Sequence, residues 1–285
     1  MYDNFVYDTG GFKLAGYIWD VPHPDNVVCI IHGIGEYAGR YDRLAKILNP
    51  AGIAVLSMDL PGHGLSAGKR GHAAPRSLVL DDVTVMIRYA EEKWPGIPIT
   101  LYGHSMGGNI CLDYRARGEL NDIPSRYIVS APWIKLVRNV SGTMYRVLRF
   151  FARRFPEFQI NDGCSYMDLG NIDIIKSYAA DPLVHKYITL ECAVECFDIG
   201  NSIMMCRNVT NCRADGIPLL LMHGSDDRIC SVEGSRSLAA MLEGKDRFTY
   251  IEWPGYYHEI HNGGPDADGM KVMETIRDFV KGEAC

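Results

Sequence analysis

From Trp94 to Leu112 the chain carries no Asp, Glu, Lys or Arg. An uncharged run of this length is what a membrane-spanning helix requires. This one also holds Pro95, Gly96, Pro98, Gly103, Gly107 and Gly108, which together interrupt any continuous helix. The run is therefore predicted to divide into a buried strand, a tight turn and a buried helix. Such a unit must be covered on all sides, so the rest of the chain has to build a layered α/β core around it. Its 285 residues, 47% of them apolar, suffice for that. A chain near 300 residues buries roughly 75% of its unfolded surface and needs no disulfide or metal staple. The same composition excludes disorder, collagen and coiled coil.

Charge and cysteine usage narrow the function classes. Lys and Arg number 29 against 35 Asp and Glu, for a net charge of −6. That balance gives no electrostatic footprint for nucleic acid as a partner. The first ten residues, MYDNFVYDTG, contain two Asp and no basic residue. They lack the basic start and apolar stretch of a secretory signal. Nine cysteines, an odd number, are then expected as reduced thiols in a cytoplasmic protein.

Along the chain, short apolar runs alternate with amphipathic stretches. A hairpin is predicted first: FVYD, a turn at Thr9-Gly10-Gly11, then FKLAGYIW. VVCII (27–31), IAVLSM (53–58), ITLY (99–102) and YIVS (127–130) read as strands buried on both faces of a parallel sheet. Helices are expected at 41–48, at 77–93 and from Ser105 onward. Near Ala131 the alternation stops, and 131–212 reads as helical and irregular, with no convincing buried strand. It resumes with IPLLLMHG, a helix at 231–242, the strand RFTYIE and a helix near 270–281. One sheet domain (1–130 and 213–285) interrupted by a helical cap (131–212) is the predicted organisation. Ligands of open α/β sheets bind at the carboxyl edge of the strands, which such a cap would cover.

Gly103-His104-Ser105-Met106-Gly107 fits G-x-S-x-G. The pentapeptide alone is weak, but it stands between an apolar strand and an amphipathic helix, the context in which a nucleophilic serine is presented on a sharp turn. A Cβ at either flanking glycine would crowd the neighbouring backbone. A serine hydroxyl needs a base and an orienting acid, which follow in the chain order Ser, acid, His. After LLLMHG come Asp226 and Asp227; after RFTYIE come His258 and His261. Both pairs stand open as acid and base. An acyl-transfer site also needs donors for the developing oxyanion. The amide of Met106, at the helix start, is one candidate, and that of Ile34, in the loop His32-Gly33-Ile34-Gly35, is the other.

The segments HGIGEYAGRY, DLPGHGLSAGKRG, WPGIPITLYGHSMGG, DPLV, HGSDDRIC and GYYHEI together resemble monoacylglycerol lipases and lysophospholipases of the α/β-hydrolase superfamily. The resemblance spans most of the sheet domain, in order. It implies an α/β-hydrolase fold with a mostly parallel central sheet, and a Ser105-Asp227-His258 triad. The family's G-x-x-D turn selects Asp227 over Asp226, and its G-x-x-H turn selects His258 over His261. Its oxyanion amides fall on Ile34 and Met106. In the insertion only Asp181-Pro182-Leu183 matches well.

The expected activity is cleavage of a carboxylic ester, most simply a monoacylglycerol or lysophospholipid, through an acyl-enzyme on Ser105. The rivals are an aminopeptidase, thioesterase or small-ester esterase on the same frame, or a binding protein without turnover. Epoxide hydrolases and dehalogenases are disfavoured, because they place Asp where Ser105 stands. No cofactor is required. Cys192 and Cys196, with His185, Cys206 and Cys212, fit no zinc spacing, so no metal is expected either. A buried pairing of Asp59 with Arg40 and Glu36 is expected to brace the oxyanion loop. Finally, Trp133–Pro156 holds Lys135, Arg138, Arg146, Arg149, Arg153 and Arg154 and no acidic residue, interleaved with apolar residues at roughly helical spacing. Two readings follow: a cap helix covering the site, or a peripheral contact with an anionic membrane.

Overall fold

The computed structural model describes residues 2–8, 13–138, 140–205, 213–244 and 247–283. Eight strands form one sheet: β1 (Asp3–Asp8), β2 (Lys13–Trp19), β3 (Asn26–Ile31), β4 (Ile53–Met58), β5 (Ile99–His104), β6 (Arg126–Ser130), β9 (Leu219–Gly224) and β10 (Phe248–Trp253). Their spatial order is β1-β2-β4-β3-β5-β6-β9-β10. β1–β2 and β2–β4 are antiparallel, and every later pairing is parallel. The Thr9-Gly10-Gly11 turn lies outside the described residues. β4, β5 and β9 are buried along their whole length, as expected for strands covered on both faces.

Successive strand residues face opposite layers. On one side, Val28, Ile30, Val55 and Tyr102 pack against α1 (Asp42–Leu48) and α8 (Met270–Lys281) through Leu44, Leu48, Val272 and Ile276. On the other, Val27, Cys29, Ile31 and Leu101 meet α2 (Arg76–Lys93), α3 (Met106–Arg117) and α7 (Val232–Leu242) through Val83, Ile87, Ile110 and Leu238. The uncharged run Trp94–Leu112 becomes β5 and the start of α3, in the middle of this sandwich. Among the described residues, no helix is long and apolar enough to cross a membrane.

Between β6 and β9 the described residues add no strand to the large sheet. They form α4 (Gly142–Arg154), β7 (Gln159–Asn161), α5 (Ile172–Ala179), β8 (Tyr187–Thr189) and α6 (Leu190–Met204). β7 and β8 pair as a separate antiparallel ribbon, a feature the sequence pattern missed. Three residues per strand are too few to show a period of two. The segment is tied down by α6: Asn109 Nδ2, on α3, donates to the Cys196 carbonyl at 3.1 Å.

Candidate active site

The turn between β5 and α3 is strained. Ser105 has φ 57° and ψ −118°, a left-handed conformation rare for a residue with a side chain. Three backbone hydrogen bonds hold it: its N–H donates to Ser130 O, and its carbonyl accepts from Asn109 N and Trp133 N, each at 3.0 Å. The flanking glycines are required by close packing. A Cβ on Gly103 would lie 2.2 Å from Gly107 O, and one on Gly107 would lie 2.1 Å from Ile31 O.

At Ser105 the structure brings together residues from three distant segments. His258 Nε2 lies 2.8 Å from Ser105 Oγ, and His258 Nδ1 lies 2.7 Å from Asp227 Oδ2. All three residues are buried. Burial works against the Asp227 charge, but the His258 and His223 imidazoles outweigh it and hold the carboxyl well below the usual range. Burial also disfavours the His258 cation; here Asp227 outweighs it, and the imidazole titrates above the ordinary histidine value. Asp226 is exposed and accepts from Ser225 Oγ at 2.6 Å. His261 is buried elsewhere, stacked on Tyr41 with ring centroids 5.4 Å apart, and burial pushes it down to about 4.

His223, at the end of β9, went unnoticed in the sequence. Its Nε2 stands 3.1 Å from Asp227 Oδ2 and 3.1 Å from the Cys230 carbonyl, while Nδ1 faces Ser235 Oγ at 2.7 Å. Asp227 Oδ1 accepts the amides of Ile229 at 2.8 Å and Cys230 at 2.9 Å. Every lone-pair direction of the carboxylate is thus used. The available signal was a polar residue closing an otherwise apolar run, four positions before an acid.

Ile34 lies in the loop after β3 and lines the same cavity as Ser105. Met106 opens α3, where the first amides have no intrahelical acceptor. The loop is braced from the protein side. Glu36 Oε1 accepts Gly33 N at 2.6 Å and Tyr41 OH at 3.0 Å, and Arg40 bridges Glu36 at 3.1 Å and Glu259 at 2.8 Å. The expected pairing of Asp59 with Arg40 is not formed. Asp59 instead accepts Ala38 N at 2.8 Å, Leu65 N at 2.8 Å and Tyr17 OH at 3.0 Å. It sits under the loop from β4, and Arg40 is already taken by a second carboxylate 219 residues away in the chain.

Ser105 opens into a cavity of about 560 Å³. Trp133, Leu136, Met144, Leu148, Ile188 and Phe197, all from the segment between β6 and β9, supply much of its apolar wall. Arg138, Asp162, Ser165, Lys186 and Arg228 bring polar groups to it. Among the described residues no cluster of His, Cys, Asp or Glu is arranged to hold a metal ion; Cys206 and Cys212 lie outside them.

A buried serine on a strained strand–helix turn of a mostly parallel sheet, hydrogen-bonded to a histidine, defines the class: a serine hydrolase of the α/β type. A family model described as serine aminopeptidase, S33, matches residues 22–264. The monoacylglycerol lipase of Mycolicibacterium smegmatis is 31% identical over 95% of this chain and 94% of its own. Phospholipase YtpA of Bacillus subtilis is 27% identical over 91% of this chain and 98% of its own. The crystal structure of Paleococcus ferrophilus monoacylglycerol lipase superposes with a TM-score of 0.80 at 28% identity, covering 96% of this chain and 99% of that one. The chain belongs to the monoacylglycerol lipase branch of the α/β-hydrolase superfamily, and is a lipase-type ester hydrolase.

Proposed function

We propose that the protein hydrolyses single-acyl glycerolipids, monoacylglycerols or lysophospholipids, with Ser105 as nucleophile, His258 as general base and then acid, and Asp227 as the group that fixes the imidazole. The amides of Ile34 and Met106 receive the oxyanion. Residues 1–130 and 213–285 are the catalytic core and 131–212 the cap. One observation carries this reading: a serine with a histidine nitrogen 2.8 Å away opens into a largely apolar cavity walled by the insertion. The names of the relatives from M. smegmatis and B. subtilis support the substrate class.

The reaction runs in two halves. His258 takes the Ser105 proton as Oγ attacks the ester carbonyl, and returns it to the departing alcohol. A water deprotonated by the same imidazole then releases the fatty acid. Each step needs neutral His258 at its start. Because Asp227 raises the His258 pKa, kcat/KM is expected to fall on acidification through a value above 6.5, the ordinary histidine value. A pH–rate profile whose acid limb lies below 6.5 would contradict this.

Turnover of p-nitrophenyl esters of graded length tests the substrate class. Each additional CH₂ buried in the cavity contributes about 0.8 kcal/mol, up to roughly fourfold in kcat/KM. The specificity constant should rise from acetyl to medium and long acyl esters. An optimum at acetyl or propionyl would overturn the lipid assignment.

Peripheral contact with an anionic membrane belongs to the same reading. Of α4 only Ala152 is buried, while Val147, Phe150 and Phe151 are exposed, with Phe150 at 69%. Phe155 and Phe158 continue the exposed apolar surface. Arg146, Arg153 and Arg154 are exposed beside them. A helix that merely roofed the cavity would turn these rings inward. Co-flotation with phosphatidylserine-containing vesicles at low salt is expected, weakening as salt is added. Protein absent from the vesicle fraction at low salt would remove this part alone.

A further inference from the structure

The insertion is fastened to the oxyanion loop at more than one point. Tyr37, three residues after Ile34, donates its hydroxyl to Asp181 Oδ2 at 2.7 Å. The amide of His185 donates to the carbonyl of Gly35 at 2.9 Å. The Arg40 guanidinium lies over the Tyr178 ring, 4.1 Å from its centroid. Residues 178–185 therefore lie along the loop from Gly35 to Arg40. These are two of the three sequence motifs that the triad leaves unexplained, HGIGEYAGRY and DPLV.

Two of these contacts, at Gly35 and Tyr37, fall between the points where the core holds the loop. Glu36 fixes the Gly33 amide and Asp59 fixes the Ala38 amide. Between these anchors lie Ile34 and Gly35, and Gly35 has φ +74°. A Cβ there would stand 2.3 Å from the His185 carbonyl, so the two backbones touch. Asp181 is itself set by a local turn: its Oδ1 accepts Leu183 N at 2.9 Å, leaving Oδ2 for Tyr37. Val184 and His185, which follow directly, line the cavity together with Ile34.

We propose that Asp181 is a positioning residue for the oxyanion loop: its carboxylate ties the cap to Tyr37, so that seating of the cap sets the direction of the Ile34 amide. The proposal rests on Ile34 being an oxyanion donor. An acyl chain that packs Val184 and the cap against the core then also completes the electrostatic part of the site. Binding and rate become coupled through this tie, with Asp181 remote from the reacting atoms.

The test is a double-mutant cycle of Tyr37→Phe and Asp181→Ala in the full chain, reading kcat and KM for p-nitrophenyl octanoate together with the melting temperature. Misplacing a group in the site by about an ångström costs up to 10²-fold. Each single variant is expected to lose about tenfold in kcat with KM nearly unchanged. The double variant should be no worse than the poorer single one, because both remove one bond. Wild-type kcat in both single variants, strictly additive losses, or a lowered melting temperature with kcat intact would each overturn the proposal. If Asp181→Ala does not fold, Tyr37→Phe, which leaves the Asp181 turn untouched, decides by its kcat alone. A wild-type chain that hydrolyses no ester removes the functional reading and the proposal together; an active wild type with unaffected variants removes the proposal only.

Discussion

Ser105→Ala is expected to lower kcat by at least ~10³-fold while the protein stays folded. The substitution deletes one atom, Oγ, and with it the 2.8 Å contact to His258 Nε2. The turn should survive, because the bonds that hold residue 105 at φ 57° are all backbone: its amide to Ser130 and its carbonyl to Asn109 and Trp133. Alanine and serine carry the same Cβ, so the strain is unchanged. Circular dichroism and the melting transition should match the wild type, and covalent labelling by a fluorophosphonate should vanish. His258→Ala should cost a similar factor, and the double variant little more than either, since nucleophile and base act as one unit. Turnover near the wild-type level in Ser105→Ala would overturn the mechanism.

How far the sequence exposes this arrangement depends on the range of each interaction. The sheet strands are legible because parallel strands buried on both faces must be continuously apolar, and IAVLSM matches β4 residue for residue. The serine turn is legible because its constraints are local: Gly103 and Gly107 answer to backbone atoms that any strand–turn–helix of this kind brings close. The insertion is less legible. In α4 the protein-facing positions Tyr145, Leu148 and Ala152 alternate with exposed Val147, Phe150 and Phe151, so apolar residues alone do not mark its inward side. β7 and β8 find each other across 25 intervening residues, with three residues each to show it. The bracing of the loop after β3 was misread at Asp59, though not at Glu36, for a related reason. Asp59 and Glu259 are equally acidic in the sequence, and only the fold decides that Arg40 meets the second. Choosing Asp227 from Asp226 and His258 from His261 took the resemblance to a family. The physical difference is burial for the two aspartates and direction for the two histidines, both of them buried, and neighbouring residues in a loop announce neither.

Asp227→Asn is expected to be far more damaging than Asp226→Asn, by about 10⁴-fold in kcat against a change within about twofold. The wiring of residue 227 explains why an isosteric amide fails. Oδ1 accepts two backbone amides, those of Ile229 and Cys230, while Oδ2 faces His258 Nδ1 at 2.7 Å and His223 Nε2 at 3.1 Å. An asparagine that keeps its oxygen toward the two amides must place its NH₂ against His258 Nδ1. It then donates to that nitrogen and fixes the proton on Nε2, the nitrogen that has to accept the Ser105 proton. The same NH₂ also meets His223 Nε2–H, donor against donor. Turning the amide over restores the bond from His258 but sets NH₂ against two N–H donors in a buried place, where each unsatisfied group costs about 1–3 kcal/mol. Neither orientation supports both structure and catalysis. Asp226 is exposed and accepts one hydroxyl, from Ser225, which an asparagine oxygen also accepts. Steady-state kcat of the two variants on one medium-chain ester decides the matter. The reverse ranking would reassign the acid while leaving Ser105 and His258 in place, and near-equal losses would mean that the two carboxylates act through the fold of their loop rather than through the imidazole.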